Sequence, residues 1–375
     1  MTTHRIQAAH DTLRANDRGG DPVRDSRVHP LQSHPLQSHP LQLRWGSAFV
    51  AMGFATFDMP RAFDEIDLLL KRQWDNAIVP HIAVRPPADS DLPAPEMWGA
   101  NQAVLASAAR WVWDRSKGNA ACEARLAAIY PGLVRYHDGW STARDPQGTG
   151  LVAALHPWET DGAQWPAWDG PLERAPAEAP FRVADIGTNA ILHRAELDLL
   201  TLSHRFGTAA ERGRIVGRIA PMGAAIGRQW DAADGHFYSR DLISDAPIKV
   251  ATSAGFLPLW AGCASAAQVG VLEGVLNRWV SQVAYAVPSI DPADPRYEPR
   301  RYGRGPICPV VNWMIAEGFA GYGYETAARR IRGDTRALVA QNGLWACFDP
   351  RDGAGLGGTE SAETAAIDLL LTPEA

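Results

Sequence analysis

Little in this chain would place it in a membrane, on nucleic acid or in a disulfide framework. No run of about 18 consecutive apolar residues occurs, so no helix is long and apolar enough to span a bilayer. The first residues are polar and lack an apolar core of signal-peptide type, and a soluble cytoplasmic protein is expected. Positive charge is not in excess. The formal net charge is −6, which argues against a nucleic-acid partner. Only four cysteines occur, Cys122, Cys263, Cys308 and Cys347. Their spacing fits no metal site, the chain is far too long to be a disulfide scaffold, and each is first read as a small buried hydrophobe. Among the histidines, His29, His34 and His39 recur in a short tract. Such a tract can bind metal, but no acids cluster with it, and no metal or cofactor is expected.

What is present is a large core. Hydrophobic residues make up 46% of the 375 residues and charged ones 21%, ordinary values for a globular protein. Residues 1–28 are polar and mostly aperiodic, and residues 29–42 repeat HPLQS, HPLQS, HPLQ. The X-Pro pairs favour extended backbone, so residues 1–42 are expected to form a flexible N-terminal segment. Helical periodicity then takes over. Pro60 opens a helix with Ala62, Phe63, Ile66, Leu69 and Leu70 on one face. Further helices are expected over Met97–Trp113, over Ala121–Trp140 as two pieces broken at Pro131, over Val183–Phe206 and over Ala209–Trp230. More follow near 255–263, 266–285, 306–321, 323–341 and 360–371. The count is roughly twelve helices with few strands, an all-α chain with residues 43–375 as one domain.

One loop concentrates chemistry. Leu155–Asp169 reads LHPWETDGAQWPAWD, with three carboxylates, a histidine and three tryptophans. Neither a helical nor a strand period fits it. Acids beside large aromatic faces suit a site that grips a polyol and moves protons on it. The plain alternative is a surface loop whose acids are solvated or cap a helix.

The same loop resembles the central motif of the glucosylglycerate and mannosylglycerate hydrolases, relatives of glycoside hydrolase family 63 close to the trehalases. Gln73-Trp74-Asp75-Asn76 with Val79-Pro80-His81 is similar to that family's QWDNGxxPH. Arg144-Asp145-Pro146 through Leu151 is similar to RDPxxxGL, and Arg301-Tyr302-Gly303-Arg304-Gly305-Pro306 with Asn312-Trp313 to RYWRGPxWPxxNW. Gly255–Leu259 and the closing Phe348-Asp349-Pro350 through Gly358 resemble further family segments. Five matches in family order carry far more weight than one. The resemblance implies an (α/α)6 barrel whose loops at one end hold the site, with the HPLQS tract as an expanded loop at its mouth.

Departures from the family pattern fall at the chemistry. By resemblance the general acid would stand at Ala163, the general base at Ala346, and a third, sugar-contacting acid at Gly46. Gly303 and Cys308 stand where tryptophans are usual, Cys347 where a tyrosine is, and Glu363 where a tryptophan is. Inverting hydrolysis needs an acid and a base about 6.5–9.5 Å apart, and alanine supplies neither. The expected function is therefore a repurposed site performing non-hydrolytic acid/base chemistry (isomerisation, cyclisation or elimination) on a sugar-like or secondary-metabolite small molecule, in biosynthesis. One alternative is an inverting glycosidase with relocated acids, Asp161 with Glu360 or Glu363. The other is a pseudoglycosidase that binds a sugar and catalyses nothing. Candidate catalytic residues are Asp161, Glu159 and Glu363. Candidate ligand-binding residues are Gln73, Asp75, Asn76, Gln102, Trp158, Trp165, Asp169, Tyr302, Arg304, Cys308, Cys347 and Glu360. A thiolate role for either cysteine would need a cationic neighbour such as Arg304. Acids at 360 and 363 also suit a helix's first turn, and Arg144 and Asp145 are explained by a turn alone.

Overall fold

Helix after helix in this chain begins on a side chain that accepts from the free amides of the first turn. The computed structural model describes residues 2–16, 41–42, 46–84, 97–100, 103–116, 118–160, 162, 164–174 and 181–372. Asp58 accepts from Arg61 N–H at the start of α3 (Met59–Leu70). Asn119 caps α5 (Ala120–Arg144) and Asp185 caps α7 (Ile186–Phe206). Thr208 with Glu211, and Ser265 with Gln268, form reciprocal capping boxes at α8 (Ala209–Gly227) and α10 (Ala266–Val280). Ser361 caps α13 (Ala362–Leu370). The remaining helices are α1 (Thr2–Asn16), α2 (Gly46–Phe54), α4 (Leu105–Arg115), the short α6 (Asp169–Arg174), α9 (Leu257–Trp260), α11 (Pro309–Gly321) and α12 (Glu325–Asn342).

These helices close a ring. α2, α4, α7, α9, α11 and α13 pack in that order, and α13 returns against α2. α3, α5, α8 and α12 pack outside that ring, and α1 lies against α13. With α10 following α9, the arrangement is the expected (α/α)6 barrel. Connections alternate in length. The α2–α3, α4–α5, α7–α8, α9–α10 and α11–α12 turns are short, while the segments ahead of α4, α7, α9, α11 and α13 are long. Since successive helices run antiparallel, all the long segments emerge at one end, and the motif residues lie there. The strands belong to these loops. Leu41–Gln42, Pro80–Val84 and Met97–Ala100 form one antiparallel sheet, and Cys347–Phe348 pairs with Gly355–Leu356. The core between the rings buries Phe49, Phe63, Trp140, Phe256, Trp279 and Phe319.

Three expectations are corrected. Residues 1–42 are not simply a flexible segment, because Thr2–Asn16 is the twelfth barrel helix. Its apolar stripe is only Ile6, Ala9 and Leu13, with Ala9 and Leu13 fully buried, too thin to stand out from a polar sequence. The HPLQS repeats, apart from Leu41–Gln42, lie outside the described residues. Pro131 does not break α5, which runs unbroken for 25 residues. That proline is exposed, and burial of Leu126, Ile129, Tyr130, Leu133 and Val134 on either side outweighs the lost hydrogen bond. Met97–Ala100 is a strand, and α4 starts only at Leu105.

α1 is docked by an imperfect charge pair. Arg5 Nε lies 3.0 Å from the fully buried Asp368 carboxylate, yet neither Asp368 oxygen accepts a hydrogen bond. Burial raises the Asp368 carboxyl to about 6, against the opposing pull of Arg5 and Arg336. A folded value above the unfolded one contributes stability that is complete below about pH 4 and lost as pH rises through about 6. Asp368→Asn is therefore expected to gain on the native chain between pH 4 and pH 7. Above pH 7 it should be more stable by about 1–3 kcal/mol. Thermal melts of both chains across this range check the sign, and an equal or lower Tm for the variant at pH 8 contradicts it.

Candidate functional site

The HPWE loop is shaped by its own buried polar groups. His156 Nδ1 accepts from Trp158 N–H and starts a 3-10 turn over Pro157–Glu159. Thr160 Oγ1 donates to Pro157 O at 2.7 Å. Glu159 is buried, with Arg144 Nη2 donating to its Oε1 at 2.6 Å and Leu155 N–H to its Oε2 at 2.7 Å. One oxygen of this expected catalytic acid therefore pins the loop to the end of α5, and the other closes the loop on itself. Asp145 takes the turn role foreseen for it, accepting from Thr149 and Gly150 N–H.

A second ion pair ties this loop to the one ahead of α11. Arg304 Nη2 donates to Asp169 Oδ1 at 2.6 Å. Between these elements Trp165 stacks on Trp168, ring centroids 6.1 Å apart and 19° from parallel. Gly303, with φ +71°, leaves room for this ring: a Cβ there would fall 2.8 Å from Trp165 Cδ1. Trp165 thus takes the space that a side chain at 303 would fill.

Position 46 shows the same kind of exchange. A Cβ on Gly46, at the start of α2, would fall 1.8 Å from Glu363 Oε1. The Glu363 carboxylate, from the first turn of α13, thus occupies the space a side chain at 46 would fill. The two elements meet because Gly53 also lies close to Ala366: a Cβ there would fall 2.7 Å from Ala366 Cβ. Ala346 lies at the end of the neighbouring hairpin, its N–H donating to Gly358 O at 3.0 Å. Below it Asp349 is fully buried and anchors the next turn. Burial would raise its carboxyl, but hydrogen bonds from Arg351 and Arg300 pull it down to about 2.

The remaining expected residues scatter. Gln73 Nε2 donates to Gly132 O on α5 at 2.7 Å, and Asn76 Oδ1 accepts from Ile78 N–H. Both bonds shape the 73–79 turn, with Asp75 and Asn76 exposed on it. Trp158 and Tyr302 are half-buried, as are Cys308 and Cys347. Glu360 is exposed, with φ +59°, and its carbonyl accepts from Asn16 of α1. Asp161, Ala163 and Gln102 lie outside the described residues. Among the described residues no cluster of three His, Cys, Asp or Glu could hold a metal. Sequence reasoning missed what Gly46 does, because no local pattern signals a contact 317 positions away (363 − 46). It also left Arg144 as a turn residue, although an arginine next to a buried loop acid is a recognisable pairing.

Six inner and six outer helices, with an ion-paired HPWE loop among the long segments at one end, define a glycoside-hydrolase scaffold. The family described as "Mannosylglycerate hydrolase MGH1-like glycoside hydrolase domain" matches residues 39–361, and the chain belongs to that family. It is 33% identical over 427 aligned positions to mannosylglycerate hydrolase MGH1 of Selaginella moellendorffii, covering 98% of this chain and 86% of that one. It is 32% identical to the mannosylglycerate hydrolase of Thermus thermophilus, covering 97% and 99%. The crystal structure of a family 63 mannosylglycerate hydrolase from Thermus thermophilus in complex with Tris and D-glycerate superposes with a TM-score of 0.89 at 31% identity, over 97% of this chain and 99% of that one.

Two substitutions test the geometry. Glu159→Gln leaves the buried Arg144 charge unpaired and is expected to cost about 3–5 kcal/mol of stability. Urea unfolding checks this, and a fully stable Gln variant that has lost only activity would restore Glu159 as a catalytic acid. Gly46→Ala is expected to displace the Glu363 side chain from Cγ outward at a cost of about 1 kcal/mol, since that side chain can rotate aside about its Cα–Cβ bond. In a double-mutant cycle with Glu363→Ala the two stability changes should be non-additive; additivity would mean that the residues do not touch in solution.

Proposed function

We propose that this chain binds a small sugar-like molecule, of the class of glycerate glycosides, and carries out acid/base chemistry other than inverting hydrolysis. The observation that carries this reading is Glu363 against Gly46, an acid at the end of the barrel where the motif loops gather. Ala346 stands where the resemblance would put the general base, and Glu159 and Asp169 are engaged by Arg144 and Arg304. One relocated carboxylate can move a proton in an isomerisation, cyclisation or elimination, whereas inversion needs two acting across a water. Arg304, Trp158, Trp165 and Tyr302 supply donors and apolar faces for a polyol. The cysteines and Glu360 remain as candidate wall residues.

A second reading has its own support. Identity to mannosylglycerate hydrolases extends over nearly the whole chain, which favours hydrolysis retained by Asp161 paired with Glu363. One experiment separates them. The purified chain is incubated with mannosylglycerate and glucosylglycerate and followed by proton NMR, alongside melting with D-glycerate and hexoses. The proposal expects ligand-dependent stabilisation, lost in Glu363→Gln, with no free hexose. Turnover to free hexose that disappears in Asp161→Asn would overturn it in favour of hydrolysis. Stabilisation with no product from any sugar-like substrate tried would leave binding alone.

A further inference from the structure

The register of one bridge, continued by a single residue, would set two of the four cysteines opposite each other. Ile307 N–H donates to Phe348 O at 2.8 Å and Phe348 N–H donates to Ile307 O at 3.0 Å, so Ile307 and Phe348 are an antiparallel pair that exchanges both hydrogen bonds. The next pair along such a ladder is residue 308 with residue 347, and it is a pair without hydrogen bonds. Cys308 has extended backbone, φ −103° and ψ 115°, and Cys347 is in the strand that continues to Phe348. Side chains alternate across a ladder. Ile307 and Phe348 point into a small core with Leu338 and Val339, while Cys308 packs against the main barrel core. Cys308 and Cys347 therefore share the opposite face. Facing residues of this kind have Cα atoms about 4.5 Å apart, within the span of about 4.4–6.8 Å that a disulfide bridges.

The setting suits exchange chemistry. Both cysteines are half-buried thiols, within reach of a small reagent. Cys122 is buried away from a reagent, and burial pushes the Cys263 thiol up to about 12, which disfavours its thiolate. Cys308 is the N-cap of α11, where free helix N–H groups favour negative charge. Among the described residues no third ligand completes a metal site with the pair. We propose that Cys308 and Cys347 are a cross-strand dithiol that closes to a disulfide by exchange with a low-molecular-weight disulfide. The Cys308 thiolate attacks one sulfur of the reagent, forming a mixed disulfide and releasing one small thiolate. The Cys347 thiolate then attacks Cys308 Sγ and releases the second. Two protein thiols are oxidised, one reagent disulfide is reduced to two thiols, and the strand at 347 becomes bonded to the start of α11. This modification is independent of the proposed function.

The full chain, equilibrated in mixtures of oxidised and reduced glutathione, quenched with acid and alkylated, would be read by intact mass and peptide mapping. The expected result is a loss of two hydrogens localised to a linkage between the Cys308 and Cys347 peptides. It should reverse on adding reduced glutathione and be accompanied by a rise in Tm of a few degrees. Cys308→Ser and Cys347→Ser should each abolish the linkage, and Cys122→Ser and Cys263→Ser should leave it intact. Single glutathione adducts that persist at both positions would overturn the proposal, as would linkage to another cysteine or full alkylation at the most oxidising mixture. The mapping is done on the native chain, so it stands even if a serine variant folds poorly.

Discussion

The structure depends on how closely α2 approaches α13. A ring of six inner helices must close between its first and last members, and here glycine makes that closure tight. Gly53 lets the backbones approach where Ala366 packs, and seven residues earlier on the same helix Gly46 leaves the space that Glu363 enters. Residues seven apart lie on one helical face, so a single interface both completes the barrel and sets an acid at the end where the long loops gather. α1 then covers α13 from outside through Ala9, Leu13 and Arg5.

On this closed frame the loops are held by ion pairs rather than by regular structure. Arg144 with Glu159, Arg304 with Asp169, and Arg300 and Arg351 with Asp349 each join a loop carboxylate to an arginine. A carboxylate so engaged serves position more than proton transfer, and breaking a buried pair leaves an uncompensated charge. Glu159 and Asp169 are thus engaged in holding the loops. Trp165 lies where Gly303 leaves room.

Much of this was legible in the sequence, and for physical reasons. Helical periodicity located α3, α8, α10 and α12 because their buried faces repeat every three or four residues, while α7, α11 and α13 were found as longer apolar stretches buried nearly all round. The motifs gave the barrel because they fell in family order. α1 was illegible because its stripe of Ile6, Ala9 and Leu13 is narrow. α5 read as two helices because a local rule about Pro131 was outweighed by packing on both sides of it. Contacts between distant elements could not be read at all. Glu363 against Gly46 and Trp165 over Gly303 each join residues far apart in sequence, and only the closed ring and its loops bring them together.

The central claim is that the acid serving this site comes from α13 and reaches it past Gly46. A crystal structure of the chain soaked with D-glycerate and a hexose tests it most directly. The account predicts the Glu363 carboxylate within hydrogen-bonding distance of a ligand hydroxyl, with Glu159 still held by Arg144. A ligand contacted instead by acids of the 155–169 loop, with Glu363 turned away from it, would contradict the account.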